Sequence, residues 1–270
     1  MEQVHFEVAS RVATITLNRP DKLNAWTMQM EDEVAAAFRN AAGTEDVRAI
    51  VFTGAGRGFC AGADMSLLKG LTESDGLRDG MIGRVPLGEG VRDDFRRRHA
   101  WLLTIPKPII AAVNGPAAGL GFVLPLYCDI RVASEKAIFN PIFSRRGLVA
   151  EYGLAWMLPR IVGLPTSLEW CFTSRNIDAA EALRAGLVSR VLPDDGFREA
   201  VQKFAQELAD TVSPRSLAVM KRQFYEAQFC GLGAAMDESF KEMISSFKSD
   251  DFKEGVAHFL EKRAPAFTGK

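Results

Sequence analysis

The chain has 270 residues, 47% of them hydrophobic and 25% charged, with a formal net charge of −1. That length supports one large domain, or a core with a small terminal subdomain, with enough apolar content to bury a sizeable interior. The near-neutral balance argues against nucleic acid or a membrane as partner. The amino-terminal MEQVHFEVAS carries acidic residues and no apolar core segment, so no signal peptide is read there and a cytoplasmic location is expected. Phe6 to Leu17 alternates about a polar centre and predicts a β-hairpin. Asn18 to Lys22 reads as a loop. From Thr27 to Ala42 the spacing of Met30, Val34, Ala37, Phe38 and Ala41 predicts an amphipathic helix with Thr27 as its N-cap. Arg48 to Thr53 predicts a strand, followed by the glycine loop 54–58 and a short extended piece, Phe59 to Asp64.

Ser66 to Gly90 has glycines at 70, 76, 80, 83, 88 and 90 and little periodicity. A loop this long inside a compact domain is functional or mobile. Asp93 to Leu103 predicts a helix leading to Pro106. Strands are predicted at 108–113, 129–133, 137–139 and 187–192, and helices near 152–161, 165–172, 178–184 and 196–212. From Pro214 to Phe259 the pattern is helical, with breaks at Gly231-Leu232-Gly233 and Ser249-Asp250. Alternating strands and helices followed by helices alone predict an α/β core over 1–200 and a helical carboxy-terminal region over 201–270.

Pro108 to Cys128 contains no charged residue. Its length would suit a membrane helix, but Pro108, Pro116 and Pro125 break it and Gly115, Gly119 and Gly121 loosen it. It reads instead as a buried strand, a glycine turn and the start of a buried helix. Gly119 lets the backbone approach a ligand, and amides at a helix N-terminus suit an oxygen that gains negative charge. The strand and glycine turn at 48–64 have the same form, so each turn could supply one amide to a single oxyanion hole. Either turn alone is equally a tight βα connection.

Cys60, Cys128, Cys171 and Cys230 are widely spaced and sit among apolar residues, which predicts buried thiols rather than disulfides or zinc ligands. His5, His99 and His258 have no metal spacing, so no metal site is expected. Arg96-Arg97-Arg98 reads either as a solvated helix face or as a contact for phosphates.

RPDKLNAW (19–26), FCAGADM (59–65), PKPIIAAVNGPAAGLG (106–121), CDI (128–130) and AGLVSRVLP (185–193) together resemble the crotonase superfamily of acyl-coenzyme A enzymes, over roughly residues 4–265. This resemblance implies a crotonase-like ββα spiral core with an all-helical C-terminal region, an acyl-CoA thioester as substrate, no separate cofactor, and a homotrimer or dimer of trimers. It implies that the amides of Ala63 and Leu120 polarise the thioester carbonyl and stabilise an enolate. It places Lys22, Leu23 and Ala25 in the segment lining the adenine pocket and Ala61, Gly62 and Asp64 beside the pantetheine, with Gly119 in the second turn. Phe259 and Lys262 would reach the CoA of a neighbouring subunit. Lys22 is equally a solvated loop lysine, and Asp64 suits a cap better than chemistry.

The two glutamates of the family's hydratases match Val123 and Phe143, neither of which can activate water. The stretch 147–163 resembles instead the single-acid isomerases of the superfamily, and Glu151 matches their proton-shuttling carboxylate. Its apolar neighbours should raise its pKa, while a helix N-terminus would stabilise its charge. One acid favours double-bond isomerisation. Hydration with Glu151 activating water is the alternative, and a catalytically silent acyl-CoA-binding protein is a third reading.

Overall fold

A hairpin starts the main sheet. β1 (Val4–Ala9) and β2 (Val12–Leu17) pair antiparallel across Ser10 and Arg11, both at positive φ, as a two-residue hairpin turn requires. The computed structural model describes residues 2–66, 69 and 85–270. From β2 onward the pairings are parallel, through β3 (Ala49–Gly54), β4 (Ile109–Val113), β6 (Ile130–Ser134) and β9 (Arg190–Leu192), in the order β1-β2-β3-β4-β6-β9. Parallel strands need long crossovers, which cover both faces of a sheet. That is why β3 and β4 are buried at every position and read as largely apolar runs, with Thr53 in β3 the polar exception.

The alternation along those strands divides the interior in two. Ile50, Phe52, Ile109 and Ala111 face the larger core, where the helix Met28–Gly43 contributes Met30, Val34, Ala37, Phe38 and Ala41. That is the stripe expected from the sequence, and Thr27 caps it by accepting from the Met30 amide at 3.1 Å. Ala49, Val51, Ile110, Ala112 and Val132 face the other way, against Phe197, Val201, Ala205 and Ala209 of the helix Phe197–Thr211. A smaller sheet joins β5 (Ala117–Ala118), β7 (Ile138–Asn140) and β8 (Ile177–Asp178) where the chain leaves β4.

The last third is helical, as expected: Pro214–Glu226, Leu232–Ser246 and Asp250–Glu261. Among the described residues no helix is long and apolar enough to cross a membrane.

Two expectations need correction. Asp93 to Leu103 is not one helix but two short 3-10 segments, Asp93–Arg96 and Ala100–Thr104, interrupted by His99 at φ 64°. The three arginines there satisfy themselves in different directions, which one helix face would not allow. Arg96 donates to the Leu87 and Gly88 carbonyls, Arg98 turns inward to Glu31, and Arg97 stays in solvent. The cysteines are all free, but they are not all buried. Cys60 and Cys128 lie in the core, where burial pushes each thiol up to about 12, whereas Cys171 is half-buried and Cys230 exposed. The loop expected over 66–90 lies mostly outside the described residues.

Candidate active site

Two glycine turns from distant parts of the chain touch. Trp26 pairs with the strand through Ala63: its amide donates to the Gly62 carbonyl and its carbonyl accepts from the Asp64 amide, both at 2.8 Å. The groups flanking Ala63 are therefore spent on Trp26, and the Ala63 amide, one residue out of phase, points to the opposite side. One bridge further, Cys60 pairs with Ala117, and the Ala118 amide donates to the Cys60 carbonyl at 2.9 Å. This carries the chain to Gly119, whose amide is taken by Asn140, and to Leu120, the first residue of the helix Leu120–Val123.

Gly62 shows how close the turns are. Its φ is +94°, and a Cβ built on it would lie 2.8 Å from the Ala118 carbonyl oxygen and 3.7 Å from the Leu120 nitrogen. Only a residue without a side chain permits both the torsion and the approach. Among the described residues neither the Ala63 nor the Leu120 amide donates to a protein acceptor. Two neighbouring free N–H groups, one on an extended bridge and one at the start of a helix, can hold an oxygen that becomes negative.

Glu151 lies in the turn before the helix Leu154–Val162, and its carbonyl accepts from the Leu154 amide at 2.9 Å. Among the described residues its carboxylate has no hydrogen-bond or ion-pair partner, and burial raises its pKa from its ordinary value. Burial is the cause of that rise, and the helix itself is capped by Gly153 with no side-chain bond. The turn is tied to the first two by side chains. The Tyr127 hydroxyl donates to the Tyr152 carbonyl at 2.6 Å, and the His99 ring lies 5.5 Å from the Tyr152 ring and 6.3 Å from the Trp26 ring.

Val123 and Phe143, at the positions that match the family's hydratase glutamates, are buried in the apolar core. Asp64 accepts from the Ser66 amide and hydroxyl and from Arg19, which hold its pKa down at about 2. It is a cap that remains anionic. Leu23 and Ala61 meet through a backbone hydrogen bond at 2.9 Å, and Ala25 and Lys22 through another at 3.0 Å, so this segment lies directly beside the Ala63 strand. Lys22 is exposed. Phe259 and Lys262 lie exposed at the end of the last helix and make no hydrogen bond, ion pair or ring contact with either glycine turn in the single chain.

Several residues that shape the site escaped the sequence reading. Asn24, fully buried, donates to the Ala55 and Gly58 carbonyls and accepts from the Arg19 amide, while Asn114 donates to the Gly56 carbonyl. Both pin the glycine loop 54–58; the signal for Asn114 was an uncharged polar residue inside an otherwise apolar run, whereas Asn24 lies in a polar loop and gave none. Asp129, Lys221 and Tyr225 form a buried knot, with Asp129 accepting from both partners and from the Ile109 amide. A cavity of about 450 Å³ beside that knot, lined by Phe95, Leu103 and Arg222 among others, is separate from the glycine turns.

The family model for enoyl-CoA hydratase/isomerase matches residues 7–270. The chain belongs to the enoyl-CoA hydratase/isomerase family. This family member is 35% identical over 267 residues to a probable enoyl-CoA hydratase of Rhodobacter capsulatus, covering 99% of this chain and 98% of the relative. It is 33% identical over 270 residues to the 1,2-epoxyphenylacetyl-CoA isomerase of Escherichia coli, covering both chains completely. Among solved structures it is similar to an enoyl-CoA hydratase subunit of Geobacillus kaustophilus, with TM-score 0.86, 34% identity and 99% and 98% of the two chains covered. A probable enoyl-CoA hydratase/isomerase of Mycobacterium abscessus superposes over the whole of both chains with TM-score 0.88 at 29% identity. The fold is that of the crotonase superfamily with a helical C-terminal region, and the protein is an enzyme of that superfamily.

Proposed function

We propose that this enoyl-CoA hydratase/isomerase family enzyme moves the double bond of an unsaturated acyl-CoA, using Glu151 as its single acid–base group. The observation that carries the reading is the free, half-buried Glu151 carboxylate beside a site where Val123 and Phe143 are apolar. In the proposed reaction the Glu151 carboxylate takes a proton from C4 or C2 of the acyl chain. The electron pair moves onto the thioester oxygen, which the Ala63 and Leu120 amides hold as an enolate. The same carboxyl then returns the proton at the other carbon, so atoms and charge balance without a cofactor or a water. Likeness to an epoxyphenylacetyl-CoA isomerase over the whole chain supports isomerase chemistry on this scaffold.

Hydration is the second reading, because a relative at 35% identity is named a probable enoyl-CoA hydratase. It requires Glu151 to orient water and to manage the α-proton as well. A side-by-side comparison of 3-enoyl-CoA isomerisation with 2-enoyl-CoA hydration at equal chain length separates the two. Isomerisation should be faster, and Glu151→Gln should lower it by at least about a hundredfold while leaving CoA-ester binding nearly unchanged. Clearly faster hydration across several chain lengths, or a fully active Glu151→Gln enzyme, overturns the reading.

Assembly and location belong to the same proposal. Phe224, Leu232, Phe259 and Leu260 of the C-terminal helices are 74%, 77%, 76% and 73% exposed, a large apolar surface for one chain to leave in water. A homotrimer or dimer of trimers in the cytoplasm would cover it and would bring Phe259 and Lys262 to a neighbour's CoA.

A further inference from the structure

Two non-glycine residues in the left-handed region meet beside Glu151. Tyr152 has φ 50° and His99 φ 64°, and their rings lie 5.5 Å apart at 62°. Side chains rarely tolerate that backbone, and such residues persist only where their surroundings over-determine them. Tyr152 is held from three sides. Tyr127 donates to its carbonyl, the Arg98 guanidinium lies 5.3 Å from its ring centroid, and His99 packs edge-on against the ring.

The grip continues away from Glu151. Arg98 Nε donates to Glu31 at 2.7 Å, with a second contact between Arg98 Nη2 and Glu31 Oε2. The Trp26 indole donates to the same carboxylate at 2.8 Å, and the Trp26 backbone brackets Ala63. An unbroken line of contacts therefore runs from one oxyanion amide to the turn that carries the acid. This arrangement is a poor way to gain stability. A buried ion pair roughly offsets its own desolvation, and among the described residues Arg98 Nη1 and His99 Nε2 are buried without a hydrogen-bond partner.

We propose that Arg98 and His99, braced by Glu31, are positioning residues that fix Tyr152, and through it the Glu151 carboxylate, relative to the Ala63 and Leu120 amides. The inference rests on the reading of Glu151 as the acid–base group. The groups facing the turn are Arg98 and His99 from the segment between the two 3-10 helices, Glu31 from the helix Met28–Gly43, and Tyr127. None of them hydrogen-bonds the Glu151 carboxylate, so they act on it by placing it and keeping it dry. Loosening the clamp moves the carboxylate and admits water, which lowers its pKa.

The test compares Tyr152→Gly, the double variant Glu31→Gln/Arg98→Met, Tyr152→Phe and Glu151→Gln. Glycine keeps the left-handed turn but removes the gripped ring, and the double variant removes both charges of the pair so that neither is left buried alone. In these two, kcat should fall at least about tenfold with KM within about twofold, since a misplaced group costs rate rather than binding. The acid limb of their pH profiles should move to lower pH. Tyr152→Phe keeps the ring and should restore the rate. A folded Tyr152→Gly or double variant with parental kcat and acid limb overturns the proposal, and either of them alone decides it if the other does not fold. An inactive Glu151→Gln beside parental clamp variants would sink only the clamp, whereas an active Glu151→Gln would sink the acid–base reading beneath it.

Discussion

Replacing Gly62 by alanine probes the geometry of the two amides without touching either donor. The added Cβ would sit 2.8 Å from the Ala118 carbonyl oxygen, where ordinary contact begins near 3.4 Å. Its neighbour is backbone, so roughly 0.6 Å must be absorbed by the segment Ala118–Leu120 or by the strand itself. The torsion of +94° adds a strain of about 1–3 kcal/mol for a residue with a side chain. A shift of that size takes the Leu120 amide out of line with the thioester oxygen, and loss of one such donor lowers kcat by about 10²–10³. The expected enzyme is folded, less stable by about 1–3 kcal/mol in urea, and slower by about 10² in both isomerisation and C2 proton exchange in deuterated water. Gly43→Ala is the control: it lies at a helix end where an added Cβ meets nothing within 4 Å, so rate and stability should hold or the latter improve slightly. A Gly62→Ala enzyme with kcat within about threefold of the parent would show that the two amides do not share one oxygen.

Acid should destabilise the protein through His99. Burial holds its folded pKa at about 4 against an ordinary 6.5, with the Glu31 charge opposing, so the unfolded chain binds the proton more readily. The stability that His99 contributes is complete above about pH 6.5 and is lost as pH falls toward 4, by up to about 3 kcal/mol. Glu151, with a raised folded pKa, acts in the opposite sense, so the comparison to make is urea unfolding of the parent and of His99→Phe between pH 7 and pH 4. Equal slopes in the two proteins would contradict the assignment. For assembly, light scattering should give three or six chain masses, and Phe240→Glu with Ile244→Glu should reduce the mass by disrupting an exposed apolar face. A parent protein that stays monomeric at micromolar concentration rules the assembly out.

The fold was legible wherever local pattern and burial coincide. The stripe on Met28–Gly43, the apolar runs of β3 and β4 and the glycine turns each announce themselves within a dozen residues, because a single face or torsion decides them. The proposal of Glu151 and the two amides came only from the resemblance of the motifs to a family, since a main-chain donor leaves no trace in side-chain identity. Arg98 was misread for a different reason. Three consecutive arginines look like a solvated face, and nothing local says that the third is buried against Glu31, 67 residues earlier. Asn24 and Asn114 were missed likewise: their partners are carbonyls of a loop that exists only once the sheet has formed.

A site with one carboxylate depends on placement more than a site with two. In a paired arrangement one acid can orient a water while the other delivers a proton, and each serves a single position. In the proposed isomerisation a lone Glu151 would have to reach two carbons of the same chain in succession, so an error in its position would penalise both proton transfers. Val123 and Phe143, packed in the apolar core, offer no second acid at the two positions that the resemblance matches to the hydratase glutamates. The same interior then holds an ion pair, a neutral histidine and two left-handed residues that stability alone does not favour. These features gather on the side of the site where the remaining acid stands. On the proposed reading of Glu151, that coincidence links the apolar Val123 and Phe143 to the cluster behind Tyr152, and it would place the specialisation of the site in how Glu151 is held rather than in additional reactive groups.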